Sequence, residues 1–318
     1  MINDLGYKKN LFILPFDHRS SFTKLFGFTN PDLSSEEKAI ITQAKEIIYE
    51  AFKRAVSDEF PRLSSRRTQP LASVPKEQAA ILVDEEYGDK IIRDAKNCDY
   101  NVILTIEKSG QKEFAFEYGD DFVKHIEKYR PQIVKTLIHY NPNDDPLSKM
   151  RQQQKLEILN NYCHENSYKF LLEVLVSPTD SQLKEVNGNN NLYDNGIRPN
   201  LTAKAMEELQ TAGVEPDIWK IEGMENEDSY KIVALQARRE GRSNVGIVIL
   251  GRAENQDKVE KWIKSGNKIK GVIGFAVGRT VFWEPLTNYK NGKIEKEKAI
   301  EIISNNFLYF YHIFINKD

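Results

Sequence analysis

Three charged residues stand inside runs of apolar sequence. They are Lys135 between Val134 and Thr136, Glu173 within Phe170-Leu171-Leu172-Glu173-Val174-Leu175, and Lys220 between Trp219 and Ile221. Burying any of them without a partner is costly, so each needs company, and one shared pocket would supply it. A lysine held near another cation in a partly apolar site has a lowered proton affinity and can act as a nucleophile. Its natural chemistry is a Schiff base with a ketone, which activates a nearby C–C bond for cleavage. A carboxylate such as Glu173 or Asp17 can shuttle the protons. A structural cluster of ion pairs is the competing reading. Three neighbouring apolar runs with the same pattern favour the chemical one.

Positioning such a set requires strands. Short β-branched runs at 11–16, 80–84, 102–106, 133–138, 169–176, 218–222, 245–250 and 271–276 predict eight of them. Helical periodicity fills 35–56, 88–97, 120–128, 148–165, 202–212, 228–240, 256–265 and 296–311. Ser34-Ser35-Glu36-Glu37 reads as a helix start and Gly213 as a stop. Eight strand–helix alternations predict an α/β fold, a (β/α)8 TIM barrel, as a single domain over 1–318. A doubly wound open sheet is the alternative. The segments 58–76 and 178–199 exceed a minimal barrel. The first reads as an ordered lid or a mobile stretch, the second as a loop insertion.

In a barrel, alternate strand residues face the lumen and active sites lie at the C-terminal strand ends. That rule groups Lys135 with Ile133, Leu137 and His139, Glu173 with Leu171, and Lys220 with Ile218 and Glu222. The first run ends in Asp17-His18-Arg19 and the third in Glu107-Lys108-Ser109-Gly110. Gly251-Arg252 and Gly278-Arg279 follow runs seven and eight, where barrels commonly hold phosphate. Glycine lets backbone N–H groups approach an anion, and arginine adds a forked donor. Arg19, Arg198 and His139 are candidates for a carboxylate at the other end of a substrate; a solvated loop residue is the other reading of Arg198. His125, His164 and His312 fall on helical stretches and read as surface or packing residues.

Composition narrows the setting. The 318 residues carry 45 Lys+Arg and 47 Asp+Glu, a net charge of -2 that argues against nucleic acid as the ligand. Cys98 and Cys163 give no disulfide framework and no zinc spacing, and five scattered histidines do not cluster. No metal and no cofactor is expected. The mean hydropathy of -0.56 and the lack of long apolar runs argue against a membrane partner, and the polar first ten residues lack a signal-peptide core. The expectation is a cytoplasmic protein. The aromatic C-terminal stretch around Phe307, Tyr309, Phe310, Tyr311 and Phe314 is apolar enough for a homo-oligomer interface or for packing on the barrel.

A family resemblance rests on the same residues. It is carried by Leu14-Pro15-Phe16-Asp17-His18-Arg19, Glu107-Lys108-Ser109-Gly110-Gln111, Phe116-Glu117-Tyr118-Gly119-Asp120-Asp121, Lys169-Phe170-Leu171-Leu172-Glu173, Glu215 through Gly223, Leu250-Gly251-Arg252 and Gly274 through Thr280. Together they resemble the 2-deoxy-5-keto-gluconate-6-phosphate aldolase-like domain often fused to 5-dehydro-2-deoxygluconokinase, here without the kinase part. More distantly, the chain is similar to class I tagatose-1,6-bisphosphate and fructose-bisphosphate aldolases. The resemblance implies a Schiff-base lyase of inositol catabolism, with Lys220 as nucleophile and Glu173 as acid/base. It implies supporting roles for Lys135, Lys108 and Asp17, and bears on His18 as a substrate-side residue. The implied substrate is a phosphorylated keto-sugar. A different ketose phosphate, or a sugar-phosphate sensor without turnover, are the alternatives.

Overall fold

Eight parallel strands close on themselves in chain order: β1 (Leu11–Pro15), β2 (Ala79–Val83), β3 (Asn101–Thr105), β4 (Ile133–His139), β5 (Lys169–Leu175), β6 (Ile218–Glu222), β7 (Gly246–Leu250) and β8 (Val272–Ala276). The computed structural model describes residues 5–30, 32–57 and 72–316. β8 pairs with β1, so the sheet is a closed (β/α)8 barrel and not an open doubly wound one. The expected strand ends are met to within a residue.

The helices are α1 (Ser20–Phe26), α2 (Ser35–Val56), α3 (Glu85–Asn97), α4 (Phe122–Tyr129), α5 (Pro146–Glu165) and α6 (Asp180–Glu185). They continue as α7 (Asn190–Leu192), α8 (Arg198–Thr211), α9 (Glu227–Ala237), α10 (Gln256–Gly266), α11 (Arg279–Lys290) and α12 (Lys296–Ile315). The anticipated start at Ser34 is a capping box, with the Ser34 hydroxyl accepting from the Glu37 N–H at 3.2 Å and the Glu37 carboxylate accepting from the Ser34 N–H at 2.8 Å. Gly213 ends α8 in the left-handed region, at φ 81°.

Period-two alternation divides the strands between two cores. Leu11, Ile13, Ala80, Leu82, Ile103, Ile133, Leu171, Ile218, Val248 and Ala276 fill the lumen. Their neighbours, such as Phe12, Val134, Phe170, Trp219 and Phe275, face the helices. Barrel closure needs one tight seam. A Cβ on Gly274 would overlap the Leu11 carbonyl oxygen, so only glycine lets β8 approach β1 there.

Two expectations change. The insertion at 178–199 is largely helical: α6 starts from a Thr179 capping box, α7 from an Asn189 cap, and a π-helical turn over Tyr193–Ile197 runs into α8, four residues ahead of its expected start. α11 was hidden in sequence by its internal Pro285 and by bulky residues that read equally well as extended chain. α12 puts Phe307, Phe310 and Phe314 against barrel residue Phe275, at ring-centroid distances of 5.8, 6.3 and 6.4 Å. It also packs on α2 and α11, so its aromatic face is part of the outer ring. Most of the segment 58–76 falls outside the described residues. No helix among the described residues is long and apolar enough to cross a membrane.

Candidate active site

Directly above the apolar lumen plug, the barrel turns polar. β4 carries Lys135 one inward step above Ile133, β5 carries Glu173 above Leu171, and β6 carries Lys220 above Ile218. Glu173 lies in register with Lys220, which brings the two side chains together across adjacent strands. Lys220 Nζ donates to Glu173 Oε2 at 2.8 Å, and Lys135 Nζ lies 3.1 Å from the same oxygen. Lys135 also donates to Asp17 Oδ2 at 2.9 Å and to Glu107 Oε1 at 2.5 Å. Both lysines and Glu173 are buried; Asp17 and Glu107 show only a tenth of their side-chain surface. Among the described residues, Lys220 ion-pairs with Glu173 alone, whereas Lys135 has three carboxylates.

The electrostatics follow from this count. Burial on its own would favour the neutral Lys135 amine, but Asp17, Glu107 and Glu173 raise its pKa well above the ordinary value. Burial likewise pushes Glu173 up, yet Lys220 and Lys135 hold it below the usual carboxylate range. Asp17 is held below the usual carboxylate range as well: Lys135, His18 and Lys220 outweigh its burial. His18 moves the other way for a base. Burial, with Arg279 and Lys220 nearby, lowers it to about 4 against the pull of Asp17, so the imidazole is neutral at pH 7.

These groups line a cavity of about 340 Å³ at the C-terminal mouth of the barrel. It brings together Asp17, His18, Arg19, Lys108, Lys135, His139, Glu173, Lys220, Arg252, Gly278 and Arg279 from the sequence candidates. Lys108 and His139 are exposed at its rim. Gly278 is fixed sterically, because a Cβ there would strike the Pro15 carbonyl oxygen. Arg279 follows it at the start of α11, with no carboxylate in ion-pair range among the described residues; burial lowers its proton affinity while Glu173 and Asp17 support it.

Other candidates are placed differently. Arg19 donates to Glu117 Oε2 and to the Glu107 carbonyl oxygen, both at 2.5 Å, so its guanidinium is committed to protein acceptors. Arg198 and Gly251 do not reach the cavity. Arg198 is buried beneath it, donating to Asp194 and to the Gly223 carbonyl, because the π-helical turn carries it into the helix layer. Gly251 faces Val277. Sequence reasoning assigned no role to Glu107, Asp194 and Glu222, all of which line the cavity. Two of them carried a signal. Glu107 stands two residues beyond Thr105 on the lumen side of β3, and Glu222 shares the face of Lys220. Asp194 sits in the insertion and carried none. Among the described residues no group of three or more His, Cys, Asp or Glu is arranged to hold a metal ion.

The family model "Uncharacterized protein conserved in bacteria (DUF2090)" matches residues 5–317. A protein of Enterococcus faecalis named Tagatose 1,6-diphosphate aldolase 2 is 26% identical over 170 residues, which cover 52% of this chain and 48% of that protein. The chain thus matches about half the length of this curated relative. The crystal structure of Cgl0159 from Corynebacterium glutamicum is similar in fold, with a TM-score of 0.53 at 15% identity over 93% of this chain and 85% of that one.

Proposed function

The chain belongs to the DUF2090 family, and we propose that it is a Schiff-base aldolase acting on a phosphorylated keto-sugar. One observation carries the reading: two buried lysines share Glu173, and among the described residues only Lys135 has further carboxylates. Lys135 is the fixed charge, which keeps Asp17, Glu107 and Glu173 together despite their mutual repulsion. Lys220 has one partner to leave, and that partner can take its proton.

In this reading the uncharged Lys220 amine attacks the substrate ketone, and loss of water gives an iminium. A base, Glu173 or Asp17, removes the proton from the hydroxyl two carbons from the iminium carbon. The bond between the hydroxyl-bearing carbon and the carbon next to the iminium then breaks, releasing an aldehyde and leaving an enamine on Lys220. The enamine takes a proton on carbon, and water hydrolyses the resulting iminium to free the ketone product and the lysine. Glu173 suits the shuttle for a local reason. Its proton affinity is held down by two cations, and transfer of the Lys220 proton removes one of them. Arg279 would receive the phosphate.

The substrate proposed is 5-dehydro-2-deoxy-D-gluconate 6-phosphate, cleaved between C3 and C4 to dihydroxyacetone phosphate and malonate semialdehyde. The motif resemblance supports it. The Enterococcus faecalis relative favours a second reading, tagatose 1,6-bisphosphate or another phosphorylated ketose. Borohydride with each substrate is the test. An adduct mapped by mass spectrometry to Lys220, absent in Lys220→Met, is expected. Turnover without trapping would overturn the Schiff base, and binding without turnover would favour a sensor.

A further inference from the structure

The loops after β5, β6 and β7 are joined by two arginines and two carboxylates. Arg252 donates from Nη1 to Asp194 Oδ2 at 2.9 Å, and its Nε lies 3.2 Å from Glu222 Oε1. Arg198 donates from Nε to Asp194 Oδ1 at 3.0 Å and from Nη2 to the Gly223 carbonyl at 2.9 Å. Glu222 Oε2 in turn accepts from the Val176 N–H at 3.1 Å. Asp194, Glu222 and Arg252 all line the cavity, and each carboxylate side chain is about nine-tenths buried.

This joint keeps local strain. Arg252 and Ala253 both occupy the left-handed region, at φ 53° and 60°, where a non-glycine residue costs about 1 kcal/mol or more. Glycine at 252 would relieve the backbone, but it could not bridge Asp194 to Glu222. The strained turn is what aims the guanidinium sideways at the two carboxylates.

The consequence is an asymmetric cavity. On the β8 side Arg279 has no carboxylate partner among the described residues. On the β7 side Arg252 is already neutralised. Among the described residues, both oxygens of Asp194 and Oε1 of Glu222 each have one protein donor at hydrogen-bond or ion-pair distance, which leaves a lone pair for another, while Glu222 Oε2 has the Val176 N–H and, at 3.8 Å, Arg198 Nη1. That wall therefore offers acceptors to hydroxyl groups and repels a further anion.

We propose that Asp194 is a specificity-determining residue, which with Glu222 withdraws Arg252 from anion recognition and turns the β6–β7 wall into a reader of substrate hydroxyls. The proposal deepens the keto-sugar reading and rests on it. The substrate phosphate goes to Arg279, its hydroxylated middle faces Asp194 and Glu222, and any second anionic end lies toward Lys108 on the far rim.

Titration calorimetry with inorganic phosphate tests this without requiring turnover, so an absence of lyase activity bears on the Schiff base and not on the wall. Arg279→Gln is expected to weaken phosphate binding at least tenfold, and Arg252→Gln less than twofold. Asp194→Asn leaves Arg252 half-paired, so phosphate binds more tightly or at a second site, and the gain disappears in Asp194→Asn with Arg252→Gln. Loss in Arg252→Gln equal to that in Arg279→Gln overturns the proposal, as does an Asp194→Asn protein that binds phosphate no better than the wild type. If circular dichroism shows that Asp194→Asn does not fold, the two arginine variants decide.

Discussion

The strands β5 and β6 carry a buried carboxylate at each end, and the two are satisfied in different ways. At the N-terminal end, Asp217 accepts from the Gly6 N–H at 2.8 Å, the Phe170 N–H at 2.8 Å and Lys169 Nζ at 3.0 Å, with His164 Nε2 at 3.5 Å. At the C-terminal end, Glu173 has the ammonium groups of Lys220 and Lys135. Both acids are held below the ordinary carboxylate range against the effect of burial. A shifted pKa therefore does not separate them; the kind of donor does. Backbone N–H groups cannot leave, so Asp217 is a tie between the chain start, β5 and β6. Ammonium groups on side chains that line a cavity can exchange partners, and that exchange is what a reaction needs.

The largest expected effect comes from exchanging each acid for its amide. Glu173→Gln should lower turnover of the keto-sugar by about 10²- to 10⁴-fold, the usual worth of a positioned proton shuttle. It should also cost stability, because buried Lys220 loses its one carboxylate among the described residues, so turnover is read per folded molecule. Asp217→Asn should cost stability alone. It turns an NH2 group toward fixed donors and should destabilise the fold by about 3 kcal/mol, with turnover per folded molecule unchanged. Urea denaturation and steady-state kinetics on both variants check this. Equal losses of turnover would break the comparison.

The cations sharpen it next. Lys135→Met leaves Asp17, Glu107 and Glu173 facing one another without their shared charge. Like charges at that distance drive proton uptake, so the acid limb of the kcat profile should move to higher pH and kcat should fall about 100-fold. Lys169→Met at the other end should cost about 1 kcal/mol and leave kcat alone, because Asp217 keeps two backbone donors and His164. A pH profile that Lys135→Met leaves unmoved would argue that the upper cluster is structural too.

This contrast was half legible in the sequence. Lys135, Glu173 and Lys220 interrupt apolar runs, and the period of two sends them to the same lumen face, so the upper cluster could be assembled on paper. Glu107 and Asp17 lie just past strand ends, where the direction of the chain depends on the turn that follows; only Asp17 was picked out. Asp217 was invisible, since its value comes from Gly6, more than two hundred residues away. Arg198 and Arg252 were read as free cations. Their partners are set by a π-helical turn and a left-handed turn that no local pattern announced.

The smallest expected effect is a pH dependence at the edge of the upper cluster. His18 has a folded pKa of about 4, lowered first by burial, then by Arg279 and Lys220, with Asp17 and Glu173 opposing. The unfolded chain has the ordinary value near 6.5. Above pH 6.5 both states are neutral and stability is full. As pH falls from 6.5 toward 4, the unfolded chain takes up a proton that the folded protein refuses, so stability drops; below 4 both bind it and the loss stops growing. The depressed carboxylates Glu173 and Asp17 add their own losses only below their ordinary values near 4.5 and 3.8, so the upper part of the window belongs to His18. The ring is 27% exposed, which reduces the whole step to on the order of 2 kcal/mol. Urea denaturation of wild type and His18→Gln across pH 4.5–7.5 reads this as a difference, which cancels the other histidines. A difference that stays flat with pH would mean that water reaches the imidazole freely, and that this corner of the cavity is more open than its packing implies.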